Sequence, residues 1–177
     1  MTEAAAIDAY GVLTEPATLR MQRLLPGSIE RVWAYLTESD LRRQWLAAGE
    51  MELETGAPFE FVWRHDELSR ERAERPAGMP EESRMDCRIT EIDPPRRIAF
   101  TWSGTGDVSI ELSPAGDGVL LTLVHRRLPS REYLLRVAAG WHSHLDILVD
   151  RVGGMEPKPI WPAWSRLHAE YDQRLPA

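Results

Sequence analysis

Gly140-Trp141-His142-Ser143-His144-Leu145-Asp146 sits inside the longest helical pattern of the chain, residues 130–153. With Trp141 at zero and each residue stepping about 100°, Leu134, Val137, Ala138, Leu145, Leu148 and Val152 fall within roughly 60° of it. Ser130 supplies an N-cap, and Gly153-Gly154 supplies a stop. A helix this long with one broad apolar stripe must lie across a large apolar surface.

That surface is written upstream, in alternating residues. Ala17, Leu19 and Met21 alternate with Thr18, Arg20 and Gln22, which predicts a first strand over about 16–25. Pro26-Gly27 turns the chain. Ser28 then caps a short helix, with Glu30 in its first turn and Ile29, Val32, Trp33 and Leu36 on one face. A second short helix starts at Ser39 or Asp40, turns Leu41, Trp45 and Leu46 inward, and ends at Gly49. Beyond it the period becomes two. Met51 and Leu53 stand opposite Glu50, Glu52 and Glu54 as in a strand, and Phe59, Phe61, Trp63 and His65 share one face of the next.

Further strands are predicted over 84–92, through Ile98, Phe100 and Trp102, through Val108, Ile110 and Leu112, and through Val119, Leu121, Leu123 and His125. Asp93-Pro94-Pro95, residues 103–106 and residues 114–118 are the turns between them. The fold class is therefore α+β: a curved antiparallel sheet of about six or seven strands, two short helices after the first strand, and one long C-terminal helix. Residues 66–83, rich in Glu, Arg and Pro, read as a long solvated loop. The organisation expected is a loose arm over 1–14, one domain over 15–153, and a tail over 154–177. In the tail, Trp164, Leu167, His168 and Tyr171 predict a short docked helix. Leu120, Thr122 and Val124, on the other face of the last strand, are apolar enough to call for a cover, either the tail or a second subunit in a homodimer.

Composition excludes more than it assigns. The chain has 177 residues and seven Trp, enough for one sizeable core. Its net charge of -7 gives no general drive toward nucleic-acid phosphates. A single cysteine, Cys87, makes no intrachain disulfide, and no residue run has the length or flanks of a membrane span or signal peptide. A cytoplasmic protein with no membrane insertion is the expectation.

Several stretches resemble one known family in their order and spacing. They are Ser28-Ile29-Glu30-Arg31-Val32-Trp33, Gln44-Trp45-Leu46, Trp63-Arg64-His65-Asp66-Glu67-Leu68, Ile92-Asp93-Pro94-Pro95, Phe100-Thr101-Trp102 and the opening heptapeptide. Together they resemble the START-like (SRPBCC) superfamily of helix-grip proteins, and within it the bacterial branch named after the activator of the heat-shock-protein-90 ATPase. The resemblance implies a hydrophobic cavity between sheet and long helix. The superfamily includes lipid carriers, polyketide cyclases and co-chaperones, and the eukaryotic co-chaperones carry an additional N-terminal domain.

A curved sheet is not filled by one helix laid across it, so an apolar space with a few polar groups is expected between them. Its candidate lining is Phe61, Trp63, His65, Phe100, Trp102, Leu121, Leu123 and His125 from strands, and Trp141, His144, Leu145 and Leu148 from the helix, with Trp45 closing one end. His144, about 60° off the apolar centre, either bonds a ligand or bonds a strand. His65 and His125 either orient a ligand or are satisfied rim histidines. His142 and His144 point about 200° apart, so they do not chelate together, and His142 with Asp146 forms a pair on the helix flank. No metal, cofactor or catalytic nucleophile is read: Cys87 follows Asp86, which raises a thiol pKa, and no Gly-x-Ser-x-Gly element occurs. The leading expectation is binding of a small apolar ligand, lipid-like, polyketide-like or aromatic. The alternatives are a cyclase, dehydratase or hydrolase using the cavity histidines, and a co-chaperone-like interaction module.

Overall fold

The structure, a computed structural model, describes residues 7–176; the first six residues of the expected arm lie outside that range. Seven strands form one antiparallel sheet in the order β1-β2-β7-β6-β5-β4-β3. They are β1 (Val12–Glu15), β2 (Thr18–Pro26), β3 (Pro58–Trp63), β4 (Ser83–Asp93), β5 (Arg97–Trp102), β6 (Gly106–Ala115) and β7 (Gly118–Arg126). Helices α1 (Ile29–Thr37) and α2 (Ser39–Arg42) follow β2, α3 (Arg131–Val152) crosses the sheet, and α4 (Ile160–Arg174) closes the chain. No helix among the described residues is long and apolar enough to cross a membrane.

The caps follow the local chemistry. Ser28 Oγ accepts from Arg31 N at 3.2 Å, and Ser130 Oγ accepts from Tyr133 N at 3.1 Å. In β7, Val119, Leu121, Leu123 and His125 point inward and are at most 1% exposed, while Leu120, Thr122 and Val124 on the other face stay half-buried. The sheet register sets Leu19 opposite His125 and Met21 opposite Leu123, so β2 and β7 present one continuous apolar strip to α3.

Five elements differ from the sequence expectation, the first being α2, which ends at Arg42 rather than running to Gly49. Residues 12–15, of which 12–14 were expected in the loose arm, form edge strand β1. Met51 and Leu53 are not in a strand, and only an isolated bridge between Ala48 and Val62 remains there. The cause lies at Gly49, whose backbone (φ +137°) presses against the Glu60 carbonyl where a Cβ would have no room, and whose own carbonyl takes a hydrogen bond from Arg42. Residues 66–83 are not wholly solvated: Leu68 is 1% exposed, and Arg151 donates to its carbonyl at 2.9 Å. The tail helix α4, expected to be short, has fifteen residues and packs along α3.

Arg42 is 1% exposed and donates to the carbonyls of Leu36, Thr37 and Ala47 as well as Gly49. Burial pulls its guanidinium down to about 10, so it stays charged near neutrality. This cation therefore fixes the loop after α2, including the Trp45 backbone that the site uses.

Candidate functional site

α3 packs along β2 and leaves space only over the ends of β3 and β5 near Trp63 and Trp102. Between Trp63 of β3, Trp102 of β5, the first half of α3 and the start of α4 lies a cavity of about 430 Å³. Ligand pockets fall in the range of roughly 300–1,000 Å³. Five tryptophans wall it: Trp63, Trp102, Trp141, Trp161 and Trp164. Met79 and Pro80, from the loop between β3 and β4, reach its rim.

The indole N–H groups of two wall tryptophans are tied back into the protein. Trp102 Nε1 donates to Tyr133 Oη at 2.9 Å, and Trp141 Nε1 donates to His125 Nδ1 at 3.1 Å. With those donors engaged, the rings offer the cavity apolar surface. Trp102 packs against Trp63 and Trp141 at centroid separations of 5.7 and 5.2 Å, so the wall is a continuous aromatic sheet.

The polar end is built from His144 and His65. His144 Nδ1 lies 2.8 Å from the Trp45 carbonyl. A carbonyl only accepts, so Nδ1 carries the proton and Nε2 is a bare lone pair. The His65 ring lies 5.3 Å from that of His144 and 4.7 Å from Trp161. Burial lowers the pKa of His65 to about 4, and burial together with the neighbouring His65 lowers that of His144 to about 3. His125, behind Trp141, is lowered to about 4 by burial. All three are neutral imidazoles near pH 7.

Of the expected lining, Trp63, His65, Trp102, Trp141 and His144 come together around the cavity. Trp45, Phe61, Phe100, Leu121, Leu123, Leu145 and Leu148 lie in the packed core instead, each at most 2% exposed. Phe59, Phe61 and Phe100 pack edge to face on one another, with Arg42 over Phe61, which leaves no open space there. His125 is also outside the lining, because Trp141 stands between it and the cavity. His65 reaches the site although β3 ends at Trp63, since residues 65–67 form a 3-10 turn.

Residues the sequence reading did not assign include Tyr133, Arg136, Val137 and Gly140 of α3, and Trp161 and Trp164 of the tail. The cavity face of α3 centres about 70° to one side of Trp141, so His144, read as the edge of the apolar stripe, is near the middle of the cavity face. Trp161, three residues before Trp164, continued the tail stripe and was a usable signal. His142 is not on an exposed flank. It is 5% exposed beneath α4, with Nδ1 at 2.8 Å from Tyr171 Oη and Nε2 at 3.4 Å from Asp146 Oδ2. Among the described residues no group of three or more His, Cys, Asp or Glu is placed to hold a metal ion.

The family model described as activator of Hsp90 ATPase homolog 1-like protein matches residues 26–153. The chain belongs to that family. Its architecture is the helix-grip fold of the START-like superfamily. Among solved structures similar to this chain is the protein encoded by gene BPP1335 of Bordetella parapertussis, 37% identical over 100% of this chain and 97% of that one, with a TM-score of 0.79. CalU16 of Micromonospora echinospora is 22% identical over 98% and 95% of the two chains, with a TM-score of 0.68. EF2215 of Enterococcus faecalis is 20% identical over 90% and 86%, also with a TM-score of 0.68. These last two likenesses concern the fold alone. A search of curated proteins finds no match.

Proposed function

We propose that this member of the family binds a small, flat, apolar molecule in the cavity between β3–β5, α3 and α4. The observation that carries the reading is the five-tryptophan wall around about 430 Å³, with one imidazole lone pair at its end. A core built only for stability would close such a space, because an unfilled apolar void costs packing energy. Binding is favoured over catalysis by the same histidines: a general base works best with a pKa near the working pH, and imidazoles at about 3 and about 4 are weak bases there.

Thermal unfolding with a panel of fatty acids, planar aromatic acids and polyketide-like phenols tests this. A ligand at 100 times its Kd stabilises the native state by about 2.7 kcal/mol, which raises Tm by roughly 5–10 °C in a chain of this size. Planar aromatics should give such shifts with the wild type and none with Val137→Trp, which adds a sixth indole and fills the cavity. A panel that leaves Tm unchanged throughout contradicts the reading.

A further inference from the structure

α3 lays Tyr133, Arg136, Val137, Gly140, Trp141 and His144 along the cavity, and three of these are not explained by an aromatic wall. His144 is one. With Nδ1–H committed to the Trp45 carbonyl, its Nε2 accepts only, and it has no protein partner among the described residues. A group seated against it must bring an O–H or N–H.

Gly140 is the second. It lies in the interior of a 22-residue helix, where glycine is the least favourable ordinary residue, and its backbone is helical. A Cβ at this position would meet nothing within 4 Å, so neither a turn nor a close approach of neighbouring protein requires glycine. The remaining use for a bare backbone on a cavity wall is close approach by something that is not part of the chain.

Arg136 is the third. It is exposed at the rim and has no carboxylate within salt-bridge distance among the described residues. Arg84, also at the rim, is held by Glu60 and Glu82. Arg136 and His144 are eight residues apart, about 12 Å along the helix. A guanidinium at that spacing suits a carboxylate or phenolate at the far end of a flat molecule.

Resting on the cavity being a ligand site, we infer that its ligand is a planar aromatic acid with a hydroxyl or N–H donor at the opposite end. The donor meets His144 Nε2, the ring plane lies over Gly140, and the anionic group meets Arg136.

Calorimetric titration at pH 7.5 with 6-hydroxy-2-naphthoic acid, 2-naphthoic acid and 2-naphthol separates these roles. The wild type should bind the hydroxy acid at least about tenfold tighter than either compound lacking one group, the ratio of one good hydrogen bond or ion pair. R136Q should bind the hydroxy acid and 2-naphthol alike while keeping its preference over 2-naphthoic acid. G140A should raise Tm by about 2–4 °C, through helix propensity, and yet weaken the hydroxy acid about tenfold. Equal affinity for the three compounds, or undiminished binding by G140A, overturns this inference and leaves the cavity reading standing. No binding of any of the three also overturns this inference, and the thermal-unfolding panel then decides whether the cavity reading falls with it.

Discussion

His125 and His144 show how a buried polar residue declares its state through one partner. His125 accepts at Nδ1 from Trp141, and His144 donates at Nδ1 to Trp45, so the two rings are opposite tautomers on either side of the same aromatic wall. Burial lowers both pKa values, to about 4 and about 3. Unfolded histidines titrate near 6.5, so below that pH the unfolded chain binds more protons than the native one. Stability is therefore full above about pH 7, falls as the pH drops through 6.5, and levels off only below the folded values. Each buried histidine contributes a slope of up to about 1.4 kcal/mol per pH unit. Urea unfolding should show a loss of about 2–4 kcal/mol between pH 7.5 and pH 5.0; equal stability at the two values would contradict buried neutral imidazoles. Residue identity made His65 and His144 legible as candidates, because both interrupt apolar patterns. Their states were not legible, since a tautomer depends on a carbonyl about a hundred residues away, that of Trp45 for His144.

At the scale of elements, the back of α3 is held as firmly as its cavity face is open. Tyr171 of α4 lies 2.8 Å from His142 Nδ1 and accepts from Gly11 N at 2.8 Å, while Arg23 of β2 reaches Asp146 at 3.1 Å. Burial alone would push the Asp146 carboxyl up, but the His142 hydrogen bond and the Arg23 guanidinium outweigh it and hold it below its ordinary value. One phenol thus ties α4, α3 and the segment before β1 together, and α4 carries Trp161 and Trp164 to the cavity. Tyr171→Phe leaves a buried imidazole nitrogen and a buried backbone N–H without partners. At roughly 1–3 kcal/mol for each orphaned group, chemical denaturation should report a loss of about 2–4 kcal/mol. A change under about 0.5 kcal/mol would show that the phenol does not tie these elements. The helical stripe of α4 was readable from Trp164, Leu167 and Tyr171. Its length and its seat on α3 were not, because Ile160 and Trp161 stand before Pro162, where the pattern suggested only a connector.

For the whole molecule, alternation in β2 and β5–β7 and the 3.6-residue period of α3 were enough to read the helix-grip plan, since each element's period names the face it buries. The two misread edges, β1 and residues 50–54, depend on tertiary contacts. β1 exists because β2 offers it a free edge, and Gly49 diverts the chain that would otherwise have been a strand. The cavity's place had the same origin. Whether an inward residue meets open space or protein depends on how α1, α3 and α4 share the concave face. Leu121 and Leu123 face packed protein, whereas Trp63 and Trp102 face the space.

If this space receives a flat ligand, the seven tryptophans supply both reporters and controls. A two-dimensional ¹H–¹⁵N spectrum of the indole N–H groups, titrated with 6-hydroxy-2-naphthoic acid, tests it directly. The resonances of Trp63, Trp102, Trp141, Trp161 and Trp164 should move, while those of Trp33 and Trp45, whose rings are buried outside the cavity, stay in place. A spectrum in which the five wall indoles do not move at saturating ligand, or move no more than Trp33 and Trp45, would contradict a ligand seated in this space.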